Sequence, residues 1–179
     1  MNVFEALFKR KRAESFREEE IEDRYIGVIL HAATFAPSAG NLKPWEFIVV
    51  KDGKKKREIK KFALHEKKIE EASYLIIICI DMEKLRLKYG EKSKKYAEQD
   101  AASVITYMMV AAKGLGLDSD WIRNFDAEKI SQLLKLPENL KVKGIVVVGK
   151  ARDFQEEFEL SFENVTHVEE YGKKFAKLD

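Results

Sequence analysis

Two stretches of this 179-residue chain place side chains in patterns that could do chemistry. The first reads Ala36-Pro-Ser-Ala-Gly-Asn-Leu-Lys-Pro-Trp45. Its small residues let the backbone approach a ligand closely. Ser38 and Asn41 offer hydrogen bonds, and Trp45 can anchor the loop ahead of a strand. A plain connector needs few such choices. The second stretch is Lys9-Arg10-Lys11-Arg12. Cations in the last turn of a helix complement its dipole. The same four could hold a phosphate by charge-assisted hydrogen bonds. From the residues alone both readings stay open.

Most other chemistry has no motif here. There is no P-loop, HExxH zinc pair, nucleophile elbow or EF-hand loop. Gly114-Leu-Gly116 lacks a third glycine and follows a helix, so it fails as a dinucleotide fingerprint. His31, His65 and His167 are scattered without metal-ligand spacing. One cysteine, Cys79, rules out an internal disulfide or a CxxC pair. Asn164-Val-Thr166 matches a glycosylation sequon, which matters only outside the cytoplasm. The basic run at 54–57 reads as a solvated helix face. With 33 Lys+Arg against 31 Asp+Glu, the chain lacks the lopsided charge of a nucleic-acid binder. Hydrophobic residues at 45% and aromatics at 11% exclude intrinsic disorder. The longest apolar run, 74–80, is too short for a bilayer, so no membrane partner is expected. The first residues carry an early acid and no apolar signal core, which points to the cytoplasm. Many Lys and Glu beside few Gln and Asn give a thermophile-like composition.

The elements that must position these residues follow from periodicity. Val3, Phe4, Leu7 and Phe8 have helical spacing, predicting a helix over 2–12. A second helix spans 21–35 and stops before Pro37. Buried strands are expected at 46–51, 74–81 and 143–150, with a short one at 117–122. Helices are expected at 54–64, 92–114 and 126–136, with Gly114 closing the long one and Asp126 capping the last. The pattern indicates one α/β or α+β domain over 1–179 with covered sheet faces. The long helix is apolar nearly all round from Val104 to Ala112, so it must be buried on all sides. A second subunit is the easiest cover, and a homodimer is expected.

The stretch APSAGNLKPWEFIVV resembles the loop signature of the nitroreductase family of FMN flavoproteins. AAKGLGLDSDWI (111–122), FENVTHVEEYG (162–172) and the early cations through Phe16 are similar to further family segments, in the right order. The resemblance implies an α+β, three-layer nitroreductase-like fold: a central, mainly antiparallel sheet flanked by helices, in an intertwined homodimer with two FMN sites at the subunit interface. By position it implies that Arg10 binds the FMN phosphate and that Lys11 and Arg12 are neighbouring contacts. Pro37, Ser38, Ala39 and Asn41 would line the flavin from the partner chain, and Ile122, Arg123 and Asn124 would approach its reactive edge. The implied activity is ping-pong hydride transfer from NAD(P)H through flavin to a nitroaromatic, quinone or similar electron-poor acceptor. No catalytic side chain and no metal is needed, because the cofactor carries the chemistry.

Several positions depart from the family pattern. Glu14 stands where a third basic residue is usual, next to the ring, and 156–159 is acidic where another phosphate ligand is usual. Arg152 is the nearest upstream cation. Lys43 replaces the usual Gln, and Arg123 sits where Gly or an acid is common. One expectation is that Arg123 and Lys43 restore the missing charge, with Glu14 pairing Arg123, and that FMN binds. The alternative is a nitroreductase-fold protein with a weakened or altered flavin site, acting as a non-catalytic ligand-binding protein. A dehalogenating or flavin-consuming relative is a third reading.

Overall fold

The computed structural model describes residues 1–156, 158 and 160–174. In chain order the elements are α1 (Val3–Lys9), β1 (Ala13–Phe16), α2 (Asp23–Ala33), β2 (Trp45–Val50), α3 (Gly53–Lys61), α4 (Lys68–Glu71), β3 (Tyr74–Asp81), α5 (Met82–Tyr89), α6 (Ser93–Gly114), β4 (Asp118–Ile122), α7 (Ala127–Leu133), β5 (Leu140–Gly149), β6 (Ala151–Phe154) and α8 (Phe162–Val165). Among the described residues, one sheet has the strand order β2-β3-β5-β4, antiparallel throughout, and β1 pairs with β6 as a separate ribbon. No helix among them is long and apolar enough to cross a membrane.

Strand alternation divides the core in two. Ile76, Ile78 and Ile80 of β3 and Val146 and Val148 of β5 meet Ile29 of α2, Leu85 of α5 and Val104, Ile105 and Met108 of α6. Leu75, Ile77, Cys79, Ile145 and Val147 turn to the other face, where Ile59 of α3, Ile69 of α4, Ile130 of α7 and the ribbon residues Ala13, Phe16 and Ala151 cover them. With both faces covered, β3 has no polar alternation to show, which is why its sequence reads as an unbroken apolar run. This is the expected three-layer α+β arrangement.

The β3–β5 register shifts between Ile78 and Cys79, opposite Gly144 and Val142, which leaves Lys143 as the extra residue. A Cβ on Gly144 would meet Ile105 Cδ1 at 2.6 Å and Trp121 Nε1 at 2.8 Å. Glycine there lets Ile105 of α6 and the Trp121 ring of the neighbouring strand β4 pack closely over β5.

The long helix ends as a Schellman motif. Leu117 donates to the Ala112 carbonyl (2.9 Å) and Gly116 to that of Lys113 (2.9 Å). The left-handed residue is Gly116, at φ +74°, rather than Gly114. The first helix is shorter than 2–12: it ends at Lys9, and Arg10 caps it in an extended conformation. Only Lys9 lies in the last turn, so the helix dipole does not account for Arg10, Lys11 and Arg12. The chain straightens there because β1 must pair with β6, and Gln155 donates to the Arg12 carbonyl at 3.0 Å. The sequence reading also lacked β1, α4, α5, β6 and α8. Four of these have four residues, too few to show a period, and α5 follows β3 with no gap, capped by Asp81.

Candidate functional site

Burial of Ala13 and Phe16 beneath β1 turns Glu14 outward, into a cleft of about 640 Å³. Arg12, Lys67, Lys68, Glu71, Arg152 and Asp153 are among its walls. Below its floor lies an ion network that joins three elements. Asp120 of β4 has the same strand parity as Ile122, so its side chain faces the second core. Its Oδ2 accepts from Lys68 Nζ at 2.6 Å and its Oδ1 from Arg12 Nε at 3.1 Å. The Lys68 and Asp120 side chains are each 5% exposed, whereas Arg12 is 45% exposed and reaches the rim. A buried carboxylate between two cations has its desolvation offset by charge on both sides. Lys68 itself is fixed by its place at the start of α4, one residue before the fully buried Ile69. Glu71 closes the far wall, accepting from Phe16 N at 3.1 Å and facing Arg152 at 3.8 Å.

A second cleft of about 670 Å³ adjoins the first through Leu64 and His65, which line both. Phe62, Arg123, Asn124 and Phe125 line it too, with Lys61, Asp126 and Lys129. Leu64 and His65 are held at φ +51° and +57°, a left-handed pair of non-glycine residues between two clefts. Arg123 lies over the Trp121 ring, its guanidinium carbon 3.9 Å from the centroid. Ile122 is buried below.

The loop 37–43 belongs to the other side of the sheet. The Ala39 amide donates to the buried Asp100 carboxylate of α6 (2.8 Å), and Ser103 Oγ of α6 donates to the Pro37 carbonyl (2.8 Å). Ser38 Oγ accepts from Lys43 N at 2.9 Å. Gly40 and Asn41 take left-handed φ values of +55° and +56°, which these residue types tolerate. Lys43 turns back to the end of α2, donating from Nζ to the Thr34 carbonyl at 2.8 Å.

The structure thus gathers Arg12 and Glu14 in one cleft and Arg123 and Asn124 in its neighbour. Arg10 and Lys11, between the end of α1 and β1, line neither cleft. Pro37, Ser38, Ala39 and Asn41 are brought to neither cleft. The expected Glu14–Arg123 ion pair is not formed: the two line different clefts, and Arg123 is spent on Trp121. Lys43 is likewise engaged elsewhere. Lys68, whose partner is Asp120, lines the same cleft as Glu14, and sequence reasoning missed both Lys68 and Asp120. One signal was present: a carboxylate two residues before Ile122 on a strand faces the same way as that apolar side chain and needs a buried partner. Of the acidic run 156–159, residues 157 and 159 lie outside the described residues.

Comparison with known proteins decides the family. The model of the Nitroreductase family matches residues 9–75 and 63–150, which take in the loop, the second cleft and the walls of the first up to Glu71. The chain belongs to the nitroreductase family. A protein of Archaeoglobus fulgidus with the provisional name NADH dehydrogenase/NAD(P)H nitroreductase is 29% identical over 157 residues, covering 86% of this chain and 87% of that one. The solved FMN-dependent nitroreductase of Clostridium difficile superposes with a TM-score of 0.80 at 26% identity, over 94% of this chain and 99% of its own. The NfrA2 structure of B. megaterium superposes at 0.86 with 24% identity, over 96% of this chain and 76% of the other, and shares the nitroreductase fold. The family match stops at residue 150, before the 162–172 segment, where α8 is a single turn.

Proposed function

We propose that this chain is a single-domain, FMN-dependent oxidoreductase. It would pass hydride from NAD(P)H to a nitroaromatic, quinone or similar electron-poor acceptor by a ping-pong cycle, as a homodimer in the cytoplasm. The observation that supports it most is the split of the loop and the cations between two faces of the sheet. In one chain the loop rests on α6 while Arg12 and Lys68 sit across the sheet in the other core's cleft. A second copy would bring the loop of one chain to the cations of the other. Exposed apolar surface favours the same assembly: on α1, Phe4 is 64% and Phe8 81% exposed, and Tyr107 on the long helix is 42% exposed. The expectation that α6 is covered all round is thus not met within one chain.

The donor set fits the cofactor. Arg12, Lys67 and Arg152 are cations lining a cleft of about 640 Å³, suited to a phosphate, the buried Lys68 supplies a further charge, and Arg10 and Lys11 precede Arg12 in the chain. The relative from Clostridium difficile is FMN-dependent by name, and that from Archaeoglobus fulgidus carries NAD(P)H in its name. When bound, FMN supplies the two-electron chemistry. The protein supplies orientation, which can account for roughly 7–11 kcal/mol of a barrier. Arg12 and its neighbours would hold the phosphate, and Lys68 would face charge that grows on reduction. Backbone and side chains at Ile122, Arg123 and Asn124 would border the space where donor and acceptor take turns, with Leu64 and Phe62 excluding water. Glu14 is the observation that favours the non-catalytic alternative, since it adds a negative charge to the same wall.

The test is the visible spectrum of the purified protein with FMN titrated in, followed by NAD(P)H-dependent reduction of a quinone and a nitroaromatic. Bound flavin with turnover supports the enzyme. Flavin uptake without reduction by NAD(P)H supports the binding protein. Arg123→Glu should weaken flavin occupancy, and unchanged occupancy removes Arg123 from the cofactor contacts.

A further inference from the structure

We infer that Asp120 is a counter-charge for the cofactor: by holding Lys68 and Arg12, it lowers the reduction potential of flavin bound in the cleft. This rests on the FMN reading above. Reduction adds electron density to the flavin, so a nearby cation stabilises the reduced form and raises the potential. Lys68 is such a cation, buried in the floor of the cleft, yet its ammonium lies 2.6 Å from a carboxylate that is itself buried. The same carboxylate takes Arg12 at 3.1 Å. One negative charge therefore offsets much of the field of two positive ones, and Glu14 on the wall adds to it.

Folding alone gives little reason for the acid. β4 already pairs its backbone with β5, Asp120 opposite Val147, and an apolar side chain at this parity would extend the core that holds Ile122. Buried ion pairs are on average no more stabilising than well-packed apolar replacements. Asp120 also fixes where the Lys68 charge sits, because the salt bridge ties the start of α4 to β4 across 52 positions of sequence.

The experiment uses the full chain loaded with FMN and reads two quantities, the dissociation constant of oxidised FMN and the midpoint potential by dye-equilibrated titration. Asp120→Asn should raise the affinity for reduced over oxidised flavin by about tenfold, equivalent to about +30 mV for a two-electron couple. Lys68→Met should move the potential the other way. In a Lys68→Met background the Asp120→Asn shift should fall by half or more. A potential unmoved by Asp120→Asn while FMN stays bound overturns the inference, as does a shift undiminished in the double variant. If Asp120→Asn does not fold, Lys68→Met decides alone: a lower potential supports the inference and an unchanged one overturns it. A wild-type chain that takes up no FMN overturns the reading beneath it, a result distinct from bound flavin with an unmoved potential.

Discussion

Asp120 and Asp100 are buried to nearly the same extent, 4% and 3% exposed, on opposite sides of the sheet. Asp120 has a cation on each oxygen. Asp100 has one backbone amide, from Ala39, and its Oδ2 finds no partner. Burial raises the Asp100 pKa above its ordinary 3.8, and the Ala39 hydrogen bond opposes this only in part. The first aspartate is an electrostatic tie between elements, the second a neutralisable peg under a loop. Equal burial thus says little about what a carboxylate contributes; the partners on its oxygens decide.

The largest expected effect falls on the tie. Lys68→Ala leaves the buried Asp120 with only the half-exposed Arg12 and should cost about 3–5 kcal/mol of stability, read by denaturant unfolding. Asp100→Ala strands the Ala39 amide and should cost about 1–3 kcal/mol. The two carboxylates would have to be regarded as equivalent if both losses came out the same. Asp100→Asn keeps an acceptor for Ala39 and removes the charge, so it should be as stable as wild type or more so at neutral pH. The sign with pH follows from a folded-state pKa raised above the unfolded one. The stability due to Asp100 is complete below 3.8 and is lost as pH rises through the higher folded value. The melting-temperature advantage of Asp100→Asn should therefore widen as pH climbs through that window; a constant gap would show that Asp100 does not titrate there. Ser103→Ala removes the Pro37 anchor and should cost about 0.5–1.5 kcal/mol, with faster amide exchange confined to the loop. Arg123→Ala loses only the stacking on Trp121, about 0.5–1 kcal/mol.

The sequence revealed the layers well, because β3 and most of β5 are covered on both faces, and α2 and α6 carry long apolar stripes; β2, expected as a buried strand, is an edge strand with Glu46 and Val49 exposed. It revealed the loop and the early cations by composition. The ribbon β1–β6 was not visible, since it joins residues near opposite ends of the chain through two four-residue strands. Nor was the Asp120–Lys68 tie, whose partners are 52 positions apart. Local pattern reports faces and periods; it does not report which distant charge meets which.

Gly144 has a wider reach than its size suggests. A methyl group there would collide with the fully buried Ile105 and with the partly buried Trp121, and would act as a wedge between the long helix and the sheet. That helix carries Asp100 and Ser103, so the wedge would be felt as a tilt of the shelf on which the loop sits. A hydrogen atom in the middle of a strand is in this sense a spacer that sets the height of a surface built elsewhere.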